Sequence, residues 1–153
     1  MERARGVKGG NNMVHNFMKL EISAVSQNES FARVTVAAFA AQLDPTVDEI
    51  TELKTAVSEA VTNSVIHGYD CKGGVVTIQA ELFDNGITVT VEDKGLGIDD
   101  IEKARTPLFT TKPAQGRSGM GFTVMEMFMD TVEVTSQAGA GTRVCMTKYF
   151  KRM

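Results

Sequence analysis

Thr46-Val-Asp-Glu-Ile-Thr-Glu-Leu-Lys-Thr-Ala-Val-Ser-Glu-Ala-Val-Thr-Asn-Ser-Val-Ile-His67 is the longest periodic stretch of the chain. Ile50, Leu53, Val57, Val61 and Ser64 or Val65 recur at helical spacing, which predicts an amphipathic helix with one stripe facing a core. Thr46-Val-Asp-Glu49 opens it as a capping box, and Gly68 closes it. Glu59 and Asn63 stand four residues apart, one above the other, at the edge of the apolar stripe. An acid and an amide so placed suit a metal-bound phosphate. The amide oxygen is a neutral hard ligand, and the acid can take a proton. The plainer alternative is a solvated glutamate and an incidental asparagine on a helix surface.

Upstream, Phe17-Met-Lys-Leu-Glu-Ile-Ser23 alternates as a half-buried strand does. Ser26-Gln-Asn-Glu29 reads as another capping box. It opens a helix through Phe31, Val34, Ala38 and Leu43 that ends at Asp44-Pro45. Residues 1–12 read as a disordered tail, and Met1, Met13 and Met18 are all possible starts. Downstream, Gly73-Gly74 leads to a strand over 75–82. Asp84-Asn-Gly86 signals a hairpin turn, and its partner strand covers 87–92. A helix over about 122–129 precedes a second hairpin, built from 131–136, a glycine-rich turn and 142–150. Strands joined by short turns, with helices grouped beside them, indicate an α+β two-layer sandwich, its sheet mostly antiparallel with helices on one face. Residues 13–153 make one domain.

Three glycine-bearing stations accompany these elements. Asp93-Lys-Gly95-Leu-Gly97 follows directly on a strand. A carboxylate at the end of an apolar strand is costly unless a donor meets it, and a purine's exocyclic amine is such a donor. Gly116-Arg-Ser-Gly119-Met-Gly121 precedes a helix, whose exposed amides favour phosphate. The stretch follows a loop, not a strand, which rejects a dinucleotide-binding βαβ unit. Lys112 and Arg117 add positive charge suited to a triphosphate. Gly139-Ala-Gly141-Thr142 starts the last strand, where the Thr142 hydroxyl can back up Asp93 in holding a base. Each station also has an ordinary reading, as a turn, a linker or a solvated charge. The segment 94–121 is long for a structureless connection, which marks it as functional.

Composition limits the partners. The chain has 153 residues, with 42% hydrophobic and 23% charged content, enough for one soluble domain with a real core. The net charge of -3 argues against direct nucleic-acid binding. No apolar run approaches membrane-spanning length, and no apolar segment follows the basic N-terminus to make a secretory signal. Cys71 and Cys145 form neither a metal pattern nor a disulfide framework. A reduced, cytoplasmic protein is the expectation.

The four stations, Glu-x-x-x-Asn, Asp-x-Gly-x-Gly, Gly-x-x-Gly-x-Gly and Gly-x-Gly-Thr, occur in one order. Together they resemble the ATP-binding fold shared by gyrase B, Hsp90, histidine kinases and MutL. Within that superfamily the chain is similar to the anti-sigma F factors, serine kinases of spore-forming bacteria. The stretches that carry this closer likeness are 28–39, Ser58-Glu-Ala-Val-Thr-Asn63, Pro107-Leu-Phe-Thr-Thr-Lys-Pro113 and Arg117-Ser-Gly-Met-Gly-Phe122. The likeness runs from about Met13 to the last strand, and the leading tail is the main departure from it.

The resemblance implies that ATP and ADP bind with Mg2+. Asn63 would hold the metal, and Glu59 would be the general base. Asp93 would take the adenine amine, beside Gly95, Gly97 and Thr142. Lys112, Arg117, Ser118, Gly119, Met120 and Gly121 would meet the phosphates, with 105–118 as a mobile lid. The implied partners are a sigma factor, an anti-anti-sigma protein phosphorylated on serine, and a second copy of the chain. Arg33 on the first helix is the expected partner contact, since no nucleotide role explains it.

Three other readings compete. A nucleotide-gated binding module without kinase activity would not need Glu59. A histidine kinase catalytic domain ranks lower, because only His15 and His67 are present and no dimerising phosphoacceptor helix precedes the fold. A gyrase-type ATPase lacks its transducer domain here.

Overall fold

The structure, a computed structural model, describes residues 13–69, 73–97 and 121–151. In chain order the elements are β1 (Asn16–Ser23), α1 (Asn28–Ala40), α2 (Val47–Asn63), β2 (Val75–Phe83), β3 (Gly86–Asp93), α3 (Gly121–Phe128), β4 (Thr131–Gln137) and β5 (Gly141–Tyr149). The five strands form one sheet in the order β1-β2-β3-β5-β4, with every neighbour antiparallel. Alternation decides which face is covered. Val76, Ile78, Ala80 and Leu82 of β2 are buried, as are Ile87, Val89, Val91 and Asp93 of β3. Val144, Met146 and Lys148 of β5 complete the same face. Its cover is α2, which packs between α1 and α3. Leu53, Val57 and Val61 of α2 are fully buried in a single core cluster with these strand residues. The α+β two-layer architecture expected from the sequence is the one observed.

Thr46 caps α2 as expected. Its hydroxyl accepts from Glu49 N at 3.1 Å, and Glu49 accepts from Thr46 N at 2.8 Å. Glu49 also accepts from Lys151 N at 2.8 Å, so one carboxylate joins the start of α2 to the end of the chain. Burial alone would push this carboxyl upward. The bonds from Lys151 and Thr46, with the Lys148 charge nearby, prevail and hold it below the ordinary glutamate range. Lys148 is itself buried. It donates to Glu52 at 2.8 Å and to the Phe128 carbonyl at 2.7 Å, tying β5 to α2 and to the end of α3.

Two expectations need correction. The capping box at Ser26 does not form: α1 begins at Asn28 with Gln27 as its N-cap, and no side chain caps it. Glu29 turns instead to the Ser58 hydroxyl on α2 and to Arg33, 3.3 Å away, and a charge-assisted pair outcompetes a single backbone amide. The buried face of α1 is Ala32, Val36 and Ala40, whereas Phe31 and Val34 are each 54% exposed. Small side chains let α1 lie close against α2. Beyond Asn63, α2 continues into a wide π-turn over Ser64–Gly68, so Gly68 falls inside the turn rather than ending an α-helix. No helix among the described residues is long and apolar enough to cross a membrane. The expected tail, 1–12, and the expected lid, 105–118, lie outside the described residues.

A depressed folded-state pKa gives stability that is present above the unfolded carboxylate's range and lost as pH falls through the folded value. Glu49→Ala should therefore destabilise by about 1–2 kcal/mol at neutral pH, the size of a lost cap. In urea melts the gap to the parent should narrow as pH drops below the ordinary glutamate range. A gap that does not change with pH would show that the charge on Glu49 is not what holds the cap.

Candidate functional site

The π-turn at the end of α2, the C-terminal end of β3 and the first residue of α3 meet at one end of the sheet. Glu59 and Asn63 are half-buried on the last two turns of α2. Gly121, at the start of α3, sits directly against them. A Cβ added there would lie 3.1 Å from Asn63 Nδ2, 3.3 Å from Asn63 Oδ1 and 3.3 Å from Glu59 Oε1. The sequence pattern placed these three residues in two separate stations, and the fold brings them together. A helix start beside a carboxylate and an amide offers amide dipoles to an anion next to one neutral oxygen ligand and one proton acceptor.

Asp93 ends β3 and is 4% exposed. Its carboxylate accepts from Gly95 N at 2.9 Å, from the Ser64 hydroxyl and from the Thr142 backbone. Burial pushes the group above the ordinary aspartate range, and the Glu92 charge adds to that push. The Gly95, Ser64 and Thr142 bonds only partly oppose it. A carboxylate has about four acceptor sites, and the three donors among the described residues leave about one for an outside donor. An exocyclic amine fits that remaining site.

The loop after Asp93 is fixed by close backbone approach. Gly97 has φ +78°, and a Cβ there would lie 2.2 Å from the Gln137 carbonyl oxygen, so only glycine fits without displacing the β4–β5 turn. Gly139 N donates to Leu96 O at 2.6 Å, pinning the same two segments together. Thr142 lies opposite Asp93 in the β3–β5 register. The Thr142 hydroxyl, expected to back up Asp93, pairs with Ser136 Oγ at 2.9 Å instead. Its main chain, not its side chain, reaches the carboxylate.

Sequence reading missed Ser64 as a site residue. Its signal was a hydroxyl lying on an otherwise apolar helical stripe directly after Asn63. Of the expected phosphate residues, Lys112, Arg117, Ser118, Gly119 and Met120 lie outside the described residues, and Gly121 alone is placed. On α1, Arg33 donates to Ser30 Oγ at 3.1 Å, while its buried Nε has no acceptor among the described residues.

Donor chemistry decides which groups these residues fit. Among the described residues, no cluster of three His, Cys, Asp or Glu side chains could hold a metal alone. Asn63 fits magnesium as it travels with phosphates, where one or two protein oxygens suffice, and Glu59 beside it is left to accept a proton.

Comparison with known proteins agrees with this geometry. A family model described as a histidine kinase-like ATPase domain matches residues 23–148. The anti-sigma F factor of Caldanaerobacter subterraneus subsp. tengcongensis is 60% identical over 138 residues, covering 90% of this chain and 96% of that protein. The anti-sigma F factor of Thermoanaerobacter sp. (strain X514) is 62% identical over 134 residues, covering 88% and 94%. The anti-sigma F factor of Clostridium novyi (strain NT) is 60% identical over 140 residues, covering 91% and 98%. A solved structure of RsbU and RsbW domains from Mycobacterium tuberculosis has the same fold, with a TM-score of 0.63 at 20% identity, covering 90% of this chain and 32% of that one. The chain belongs to the anti-sigma F factor family, built on a histidine kinase-like ATPase domain.

Proposed function

We propose that this chain is an anti-sigma factor that binds and inhibits a sporulation sigma factor and uses Mg2+ and ATP to phosphorylate a serine of an anti-anti-sigma protein. The observation that carries the catalytic half is the seating of Gly121 against Glu59 and Asn63. It puts a proton acceptor, a metal ligand and a helix start within one small volume. Asp93, with about one acceptor site left, takes the adenine amine. Mg2+ would neutralise phosphate charge when bound, held on the protein side by Asn63. Glu59 accepts the proton of the serine hydroxyl as its oxygen bonds to the γ-phosphorus and the bond to the β-bridging oxygen breaks, releasing ADP. The role in partner binding rests on the family name of the relatives. Arg33 is the proposed contact: it belongs to α1, the helix whose Phe31 and Val34 are exposed. A homodimer and a cytoplasmic location belong to the same proposal, and the exposed Phe17 on edge strand β1 offers a surface for self-association.

Glu59→Gln keeps shape and removes the base. Labelled-phosphate transfer from ATP to an anti-anti-sigma protein should slow by roughly 10²–10⁴-fold with ATP binding nearly unchanged. Equal transfer in the variant and the parent would rule the base out. Asn63→Ala removes the proposed magnesium ligand, so calorimetric ATP affinity should lose its magnesium dependence. Affinity that still responds to magnesium as in the parent would move the metal elsewhere. Asp93→Asn can turn a donor toward the adenine amine, and the clash should weaken ATP about 5- to 150-fold. A nucleotide lacking that amine should be much less affected. A similar loss for both nucleotides would mean that Asp93 does not read the base.

A further inference from the structure

We infer that Tyr69 is a positioning residue for base recognition, acting on the loop that carries Asp93. Its hydroxyl accepts from Lys94 N at 2.6 Å and donates to the Val75 carbonyl at 2.8 Å. One oxygen thus clamps the residue immediately after Asp93 to the first residue of β2. The other end of the clamp is the π-turn, where Tyr69 N donates to the Ser64 carbonyl at 3.0 Å. Ser64 in turn donates its hydroxyl to Asp93. Two residues five apart in one wide turn therefore hold two successive residues of β3's end.

Only the wide turn permits this. In an α-helix, positions five apart point about 140° away from each other and could not grip neighbouring strand residues. The i→i+5 bond closes that angle. The ring is confined as well. A Cβ on Gly74 would lie 2.5 Å from Tyr69 Cε1 and 2.7 Å from Cδ1 and Cζ, so glycine at 74 is what lets the ring lie across the start of β2. The Glu59–Asn63 pair sits upstream, on α2 proper. The clamp should therefore act on how Asp93 meets the base and not on phosphoryl transfer. This inference rests on the assignment of Asp93 to the adenine amine.

The test uses Tyr69→Phe, which keeps the ring and removes the hydroxyl. ATP and purine riboside triphosphate, which lacks the exocyclic amine, are titrated into the parent and the variant, and thermal melts are recorded alongside. ATP affinity should fall about fivefold, as for one lost neutral hydrogen bond. The amine-free nucleotide should change by less than about twofold on the same scale, so discrimination narrows and the kinetic loss appears in KM rather than kcat. Losing both nucleotides equally, or neither, overturns the proposal, because general loosening of the fold does not distinguish the bases. Tyr69→Leu also removes the hydroxyl and leaves Gly74 as it is, and it should narrow discrimination too. It supplies the reading if Tyr69→Phe folds poorly, and unchanged discrimination in it would likewise overturn the clamp. Asp93→Asn separates the two levels of the argument. If it preserves discrimination, both the base reader and the clamp fall. If it abolishes discrimination while Tyr69→Phe does not alter it, the clamp alone falls.

Discussion

A carboxylate kept out of water at the end of a central strand is the constraint on which the rest of this structure turns. Burial of Asp93 works against its charge, and Gly95, Ser64 and Thr142 supply donors that only partly relieve it. With its pKa raised in the folded state, the native protein binds more protons than the unfolded chain just above the ordinary aspartate range. Stability therefore falls as pH rises through that window. A group that works against stability at neutral pH is better explained by binding than by folding. Each of its donors also commits a piece of the fold: Ser64 a widened helix end, Thr142 the register of β5, and Gly95 a tight loop after the strand.

The helix α2 answers that constraint on one side and bears Glu59 and Asn63 on another. Leu53, Val57 and Val61 bind it to the sheet, while Glu59 and Asn63 project toward Gly121. Its position is set from several directions at once. Thr46 and Glu49 fix its start, Glu52 holds the buried Lys148 of β5, and Ser58 meets Glu29 of α1. Ser58 is adjacent in sequence to Glu59, so α1 touches α2 one residue from the proposed base.

The sequence was most legible where local rules act alone. The box at Thr46, the turn at Asp84-Asn-Gly86 and the alternation of β2 and β3 depend on neighbours in the chain, and they appear as expected. Legibility failed where tertiary partners intervened. Ser26 lost its box because Glu29 found Ser58, and α1 turned its small residues inward because another helix lay close by. The π-turn left no periodic signal, since a single widened turn does not alter an apolar stripe that ends there. Glu59, Asn63 and Asp93 were readable as residues. That Gly121 meets the first two is a contact between stations far apart in sequence, and no local pattern encodes it.

The pairing of Asp93 with Thr142 has a consequence for how the site comes into being. β2 and β3 are joined by a two-residue turn, so their pairing closes only a short loop. β5 reaches β3 only after the long intervening stretch and the β4–β5 turn have emerged, so a large loop must close against chain entropy before the third donor arrives. Until then the carboxylate sits on an open sheet edge, hydrated and without its Thr142 bond. On a ribosome, where synthesis proceeds from the N-terminus, the segment bearing Glu59 and Asn63 is made long before the Asp93–Thr142 pairing can form. Nucleotide capture therefore belongs to the finished chain, and its onset would report that the last hairpin has docked.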